Sequence, residues 1–294
     1  MPQDAQERPR HLPNEFDDTF AVGVEPGNNA FFGLNVLQGL IDGMDEFLGD
    51  FGKSESRWRS PRWIAPAVLG SSIWIDDELL IEKIREYSVA CVVVKKQGTN
   101  DREVEKLDRL KLVNQQTPGM PVQAFSALTG LAPKENGKPV VLDKYSPLDG
   151  VPVPTFRTLG FRKARSNDSV PIPHAKLVLL GHLCWIDDKD FSSATEIISF
   201  RAVRLWVTSA NFTSSSRRNL EFGFWTEDPA LLGGAERYLV KLMRSSEALN
   251  PASDVFDPEL APVEYDAAVV SEALEDLYGR PGEDEMPDDW DHDN

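Results

Sequence analysis

The chain has 294 residues, 41% hydrophobic and 27% charged, enough apolar material for one large core or two small ones. No run approaches the roughly 18 apolar residues of a membrane-spanning helix, and a net charge of −17 argues at first sight against a polyanionic partner. Two cysteines, Cys91 and Cys184, make neither a disulfide framework nor a Cys-based zinc site, so both are expected to be reduced structural thiols. The first thirteen residues are polar and lack an apolar stretch of signal-peptide type, which points to the cytoplasm.

In chain order, residues 1–58 read as a polar leader followed by one helix, Asn29 to Phe51. Phe32, Val36, Leu40, Met44 and Phe47 fit its spacing, while Gly39 and Gly43 weaken it. An α/β pattern then begins. Ile64 to Leu69 reads as a strand turning at Gly70, Ser71 and Ser72, and Asp76 and Asp77 open a helix that runs to about Tyr87. Val89 to Val94 reads as a buried strand and Asp101 to Leu112 as a polar helix, so a strand–helix–strand unit is expected here. Pro118 to Val153 is mixed in character. Strands follow at Pro154 to Leu159, Pro171 to Leu180, Val203 to Ser209 and Leu220 to Trp225, then a helix from Leu231 to Leu249.

The acidic charge is concentrated at one end. From Ala252 to Asn294 there are 15 acids against Arg280 alone, which is −14 of the net −17, so the remaining residues come to −3. From Phe156 to Leu220 ten basic residues face five acids, a local excess of +5 that favours an anionic ligand. The expected organisation is therefore a leader and helix over 1–58, an α/β domain over 59–250, and an acidic tail over 251–294. Dense like charge leads us to expect disorder in the tail past Gly279.

Two strand ends carry unusual chemistry. His174 and Lys176 stand two apart, so on a strand both point to one face. Ser209 and Asn211 repeat that spacing at the end of another strand, and Glu221 opens the next. An imidazole, an ammonium, an amide, a hydroxyl and a carboxylate in one place suit phosphoryl chemistry. Lys and Asn hold non-bridging oxygens, and a His attacks phosphorus when a carboxylate fixes its tautomer. His182 and Cys184, two apart, lack a second pair and are expected to be structural rather than metal ligands. Trp58, Trp63 and Trp74 are expected in the core, and Arg217–Arg218 on a solvated surface beside Asn211.

His174-Ala175-Lys176, Thr208-Ser209-Ala210-Asn211 and Asn219-Leu220-Glu221-Phe222-Gly223 resemble the H-x-K, S-x-N and N-x-E-x-G succession of the phospholipase D superfamily, over about residues 63–245. The resemblance implies an α/β fold with a mixed β-sheet flanked by helices. It also implies a metal-independent, cofactor-free reaction through a phosphohistidine. His174 would be nucleophile or acid, Lys176 and Asn211 phosphate clamps, Ser209 an auxiliary donor, and Glu221 the residue that orients His174. Such a site uses two H-x-K histidines. Of His11, His174, His182 and His292 only His174 has a Lys two positions on, so a homodimer with one composite site is expected.

Three departures stand out. Gly181 occupies the position five after Lys176 where the family carries an Asp, Thr208 replaces a common Gly, and Trp185 to Asp190 is read as a loop inserted near the site. The expected activity is that of a nuclease, with DNA favoured over RNA and a protein partner for the N-terminal helix or acidic tail. The alternatives are a phospholipid hydrolase or transferase, and a catalytically silent module that binds nucleic acid or protein.

Overall fold

The structure, a computed structural model, describes residues 20–25, 28–53, 61–96, 101–142, 152–160, 173–188, 195–249 and 257–278. The first half contains β1 (Phe20–Glu25), β2 (Asn28–Gly33), α1 (Val36–Phe51), β3 (Arg62–Ser72), α2 (Glu78–Arg85), β4 (Val89–Lys95) and α3 (Asp101–Gln116). There follow β5 (Leu131–Pro133), β6 (Val141–Leu142), β7 (Phe156–Leu159), β8 (Leu177–Asp188), β9 (Thr195–Thr208) and β10 (Glu221–Thr226). The last elements are α4 (Pro229–Arg244), β11 (Leu260–Pro262), β12 (Glu264–Tyr265) and α5 (Ala267–Tyr278).

Eight strands form one sheet in the order β1-β2-β10-β9-β8-β3-β4-β7. β4 pairs in parallel with both β3 and β7, and the other neighbours are antiparallel. The expected mixed sheet flanked by helices is therefore the observed architecture. β4 sits inside it because Val89-Ala-Cys-Val-Val-Val94 is apolar on both faces, as a strand covered from both sides requires. Alternation along the strands divides the core in two. Val68, Val92, Val94, Val178 and Leu180 meet α1, α2 and α3, whereas Leu69, Cys91, Val93 and Leu179 meet α4 and the turns at 122–128.

Two helices start at side-chain caps. The Asp77 carboxylate accepts from Leu80 N at 3.0 Å to open α2, and Asp228 accepts from Leu231 N at 2.9 Å to open α4, with Pro229 in its first turn. In α1 the glycines that weaken the helical pattern permit close approach to the sheet. A Cβ at Gly43 would lie 2.5 Å from the Trp225 ring, and Trp225 Nε1 donates to Gly39 O at 3.0 Å.

Two expectations are corrected, for residues 28–33 and for Trp185 to Asp188. Residues 28–33 are strand, not helix: Phe31 packs on the core while Phe32 is 40% exposed, a period of two. Residues 20–51 thus supply two strands and a helix to the same sheet and core as the segment over 59–250. Trp185 to Asp188 are not a loop over the site. They extend β8 and pair with Thr195–Ile198 of β9, at the end of the strand opposite Lys176. Part of the acidic tail is also anchored, because β11 pairs with β5 and Glu259 accepts from the buried Arg157 at 2.5 Å. The tail past Gly279, Trp58 and residues 189–194 lie outside the described residues.

Candidate active site

Strand direction decides where the motif residues meet. The start of β8, the end of β9 and the start of β10 lie at one edge of the sheet, together with the ends of the parallel strands β3, β4 and β7. Ligands of α/β sheets gather at the ends of parallel strands. β8 begins at Leu177, later than expected, yet the ladder reaches one bond further, with Thr208 N donating to Lys176 O at 3.2 Å. His174 is exposed and Lys176 half-buried on this extended lead-in, after a buried Pro173.

Across β9, the turn into β10 is held by side chains. Ser209 N donates to Phe222 O at 3.0 Å, Phe222 N donates to Ser209 Oγ at 3.0 Å, and Ser209 Oγ donates to the Glu221 carboxylate. Thr208 is buried and turned into this connection. Its Oγ1 donates to Phe222 O at 2.6 Å and accepts from Ala210 N at 3.1 Å, so it ties the turn. Ser209 and Glu221 are thus directly joined. No hydrogen bond joins Glu221 to His174 among the described residues.

Asn211 sits one residue before a bridge between Phe212 and Ile75. Phe212 N donates to Trp74 O at 3.2 Å and to Ser72 Oγ at 3.3 Å, and Phe212 O accepts from Asp76 N at 2.9 Å. That framework holds the Asn211 backbone. Its Oδ1 is buried with no hydrogen-bond partner, as is Ser71 Oγ, opposite Leu177 in the β3–β8 register. Unpaired buried polar atoms are costly and rare, and here two of them fall at the edge of the sheet where the motif residues gather.

The residues that sequence reasoning missed are those that hold this loop. Arg217 does not lie free on a solvated surface. It pairs with Asp77, with Nη2 2.8 Å from Oδ1, and donates from Nη1 to Asn35 Oδ1 at 2.9 Å. The hydrogen-bonded Asp77 carboxylate holds its guanidinium above its ordinary value. Asp76 accepts from Ser214 N at 2.9 Å and pairs with Lys106. Burial alone would raise the Asp76 carboxyl, but the Lys106 ammonium and the Ser214 amide outweigh it and leave the group below the usual range. The signal was present as acids at 76 and 77 facing bases at 106 and 217, without a periodicity to link them. Trp63 and Trp74 are half-buried, not core: Trp63 stacks on His182 at 4.0 Å, and Lys95 lies over Trp74 at 5.3 Å.

Gly181 has a geometric reason. The β8–β9 register shifts between Leu180 and Gly181, and a Cβ there would lie 2.5 Å from Arg201 O. No side chain fits at the position where the resemblance puts an Asp. His182 and Cys184 are buried, and no cluster of metal-ligating side chains occurs among the described residues.

No family model matches the chain, and no curated protein does. Among solved structures it is similar to a phospholipase D family member, Nuc from Salmonella typhimurium, at 12% identity and a TM-score of 0.33, over 62% of this chain and 80% of that one. It is similar also to NucT from Helicobacter pylori, at 14% identity and a TM-score of 0.34, over 75% of this chain and 98% of that one.

Proposed function

We propose that this chain is a metal-independent phosphodiesterase of the phospholipase D type that cleaves nucleic acid at a composite site formed by two copies. The observation that carries the reading is the meeting of the H-x-K segment with the S-x-N and N-x-E-x-G segments at one sheet edge. In the first step a neutral His174 nitrogen attacks phosphorus, the bond to the leaving oxygen breaks, and the second copy's protonated His174 gives that oxygen its proton. In the second step the now neutral imidazole of the second copy takes a proton from water. The resulting oxygen attacks phosphorus and the P–N bond breaks. Lys176 and Asn211 hold the non-bridging oxygens as charge builds on them. Ser209 and Glu221, bonded to each other, set the shape of the adjoining turn.

Two copies are required because each supplies one suitable histidine. His182 is 3% exposed and stacked between rings, away from the sheet edge, so it does not serve as the acid. The basic excess between Phe156 and Leu220 supports a polyanionic substrate, with DNA favoured over RNA. The acidic tail offers a surface for a protein partner.

The test is cleavage of single- and double-stranded DNA and RNA in EDTA by wild type and His174→Ala. The expected result is metal-independent cleavage by wild type, lost by at least about 10³-fold in the variant. Undiminished cleavage by the variant overturns the assignment. A dimer that cleaves no nucleic acid but hydrolyses phospholipid vesicles moves the substrate to lipid, and inactivity on both leaves a binding module.

A further inference from the structure

About 20 Å along the chain from Lys176, at roughly 3.3 Å per residue to His182, a cavity of about 450 Å³ opens between the end of α1 and the sheet. Its wall is aromatic. The His182 ring stacks with Phe47 at 4.8 Å and with Trp63 at 4.0 Å, and Phe51 lies 5.3 Å from it, tilted. Its rim is acidic. Glu46, Asp50 and Glu227 line it, and Arg204 is the one base among the lining residues, a formal −2 with His182 neutral.

The ion pairs do not cancel that charge. Arg204 Nη1 bonds Glu46 at 2.7 Å, while its Nε is 3.9 Å from Glu227, outside hydrogen-bond reach. Asp50 meets Lys53 only at 3.4 Å, with both side chains more than two-thirds exposed, a pair that water screens. The final turn of α1 carries no basic side chain, so the negative end of its dipole also faces this region.

A second feature is independent of the acids. The lining His182, 3% exposed, keeps a buried ring nitrogen, Nδ1, without a hydrogen-bond partner. Burial, together with the nearby Arg201 charge, presses the His182 pKa down to about 4, so its ring is neutral at physiological pH and adds no repulsion to a cation. Aromatic faces and carboxylates around a partly desolvated space are the chemistry that recognises alkylated ammonium ions.

We propose that the cavity bounded by Phe47, Phe51, Trp63 and His182, rimmed by Asp50 and Glu227, binds a small alkylated ammonium cation. The rings take the alkyl groups and the rim carboxylates take the charge. This site is separate from the candidate active site and does not depend on the phosphodiesterase reading.

The test is ligand-observed NMR on the full chain with tetramethylammonium, against tert-butanol as an uncharged molecule of similar shape and acetate as an anion. Saturable binding of tetramethylammonium is expected, with its methyl signal moved upfield by the ring currents and with at least tenfold weaker binding of tert-butanol and acetate. The double variant Asp50→Asn, Glu227→Gln changes two exposed side chains, so it keeps the wild-type Tm and should bind at least tenfold more weakly. Absence of saturable binding, equal binding of tert-butanol or acetate, or undiminished affinity in the double variant each overturns the proposal.

Discussion

Two histidines stand eight residues apart, one on the lead-in to β8 and one within it, and their surroundings give them opposite properties. His174 lies on the exposed lead-in to β8, where the strand joins an edge lined by the ends of β3, β4 and β7. His182 lies within the strand, 3% exposed, between the rings of Phe47 and Trp63, with its pKa lowered to about 4 by burial and the Arg201 charge. Sheet ends leave side chains accessible to substrate and water, whereas the middle of a strand under a helix removes them from both. Position along the strand and its lead-in, more than residue type, separates a histidine open to solvent from one held neutral in a wall.

Substitutions in the two regions should affect cleavage very differently. Lys176→Ala should lower kcat by about 10²–10³-fold, the size of losing one group that stabilises developing charge. His182→Phe, which preserves a ring between Phe47 and Trp63, should leave kcat within about twofold. Equal losses in the two variants would mean that the sheet edge is not the centre of the chemistry.

A smaller effect sharpens the account of His182. In the unfolded chain the ring takes up a proton near pH 6.5, but in the folded protein only near 4. The unfolded state therefore binds more protons between those values. Stability is fully present above about 6.5 and declines as pH falls toward 4. Urea unfolding of His182→Phe at pH 7 and pH 4.5 should show a stability loss on acidification about 2 kcal/mol smaller than that of wild type. An identical loss in both proteins would show that His182 does not carry it.

Much of the sheet was legible because its signals are local. The valine run of β4 and the paired acids before α2 mark their elements without tertiary information. The motif residues were legible through their order along the chain. What stayed hidden depends on partners far away in sequence. Residues 28–33 contain Phe31, Phe32 and glycine, a pattern that extends a helix as readily as it forms a strand, and pairing with β10 decides it. The far half of β8 contains Trp185, Asp187 and Asp188, a polar mixture typical of a loop, because that part of the hairpin leaves Ile186 and Ile197 well exposed. Arg217 read as a surface base, since nothing near it in sequence announced Asp77, 140 residues away. In the site, residue types could be read, but the coupling of Glu221 to Ser209 required the register of β9 and β10.

The proposed reaction requires that His174 become covalently attached to phosphorus. The most direct measurement is the intact mass of the protein quenched during turnover of bis(p-nitrophenyl) phosphate in EDTA, followed by peptide mapping. An acid-labile nitrophenyl-phosphoryl adduct on His174, at no more than one per two chains and absent from His174→Ala, is the predicted result. Turnover without an adduct, or an adduct mapped to a different residue, would contradict it.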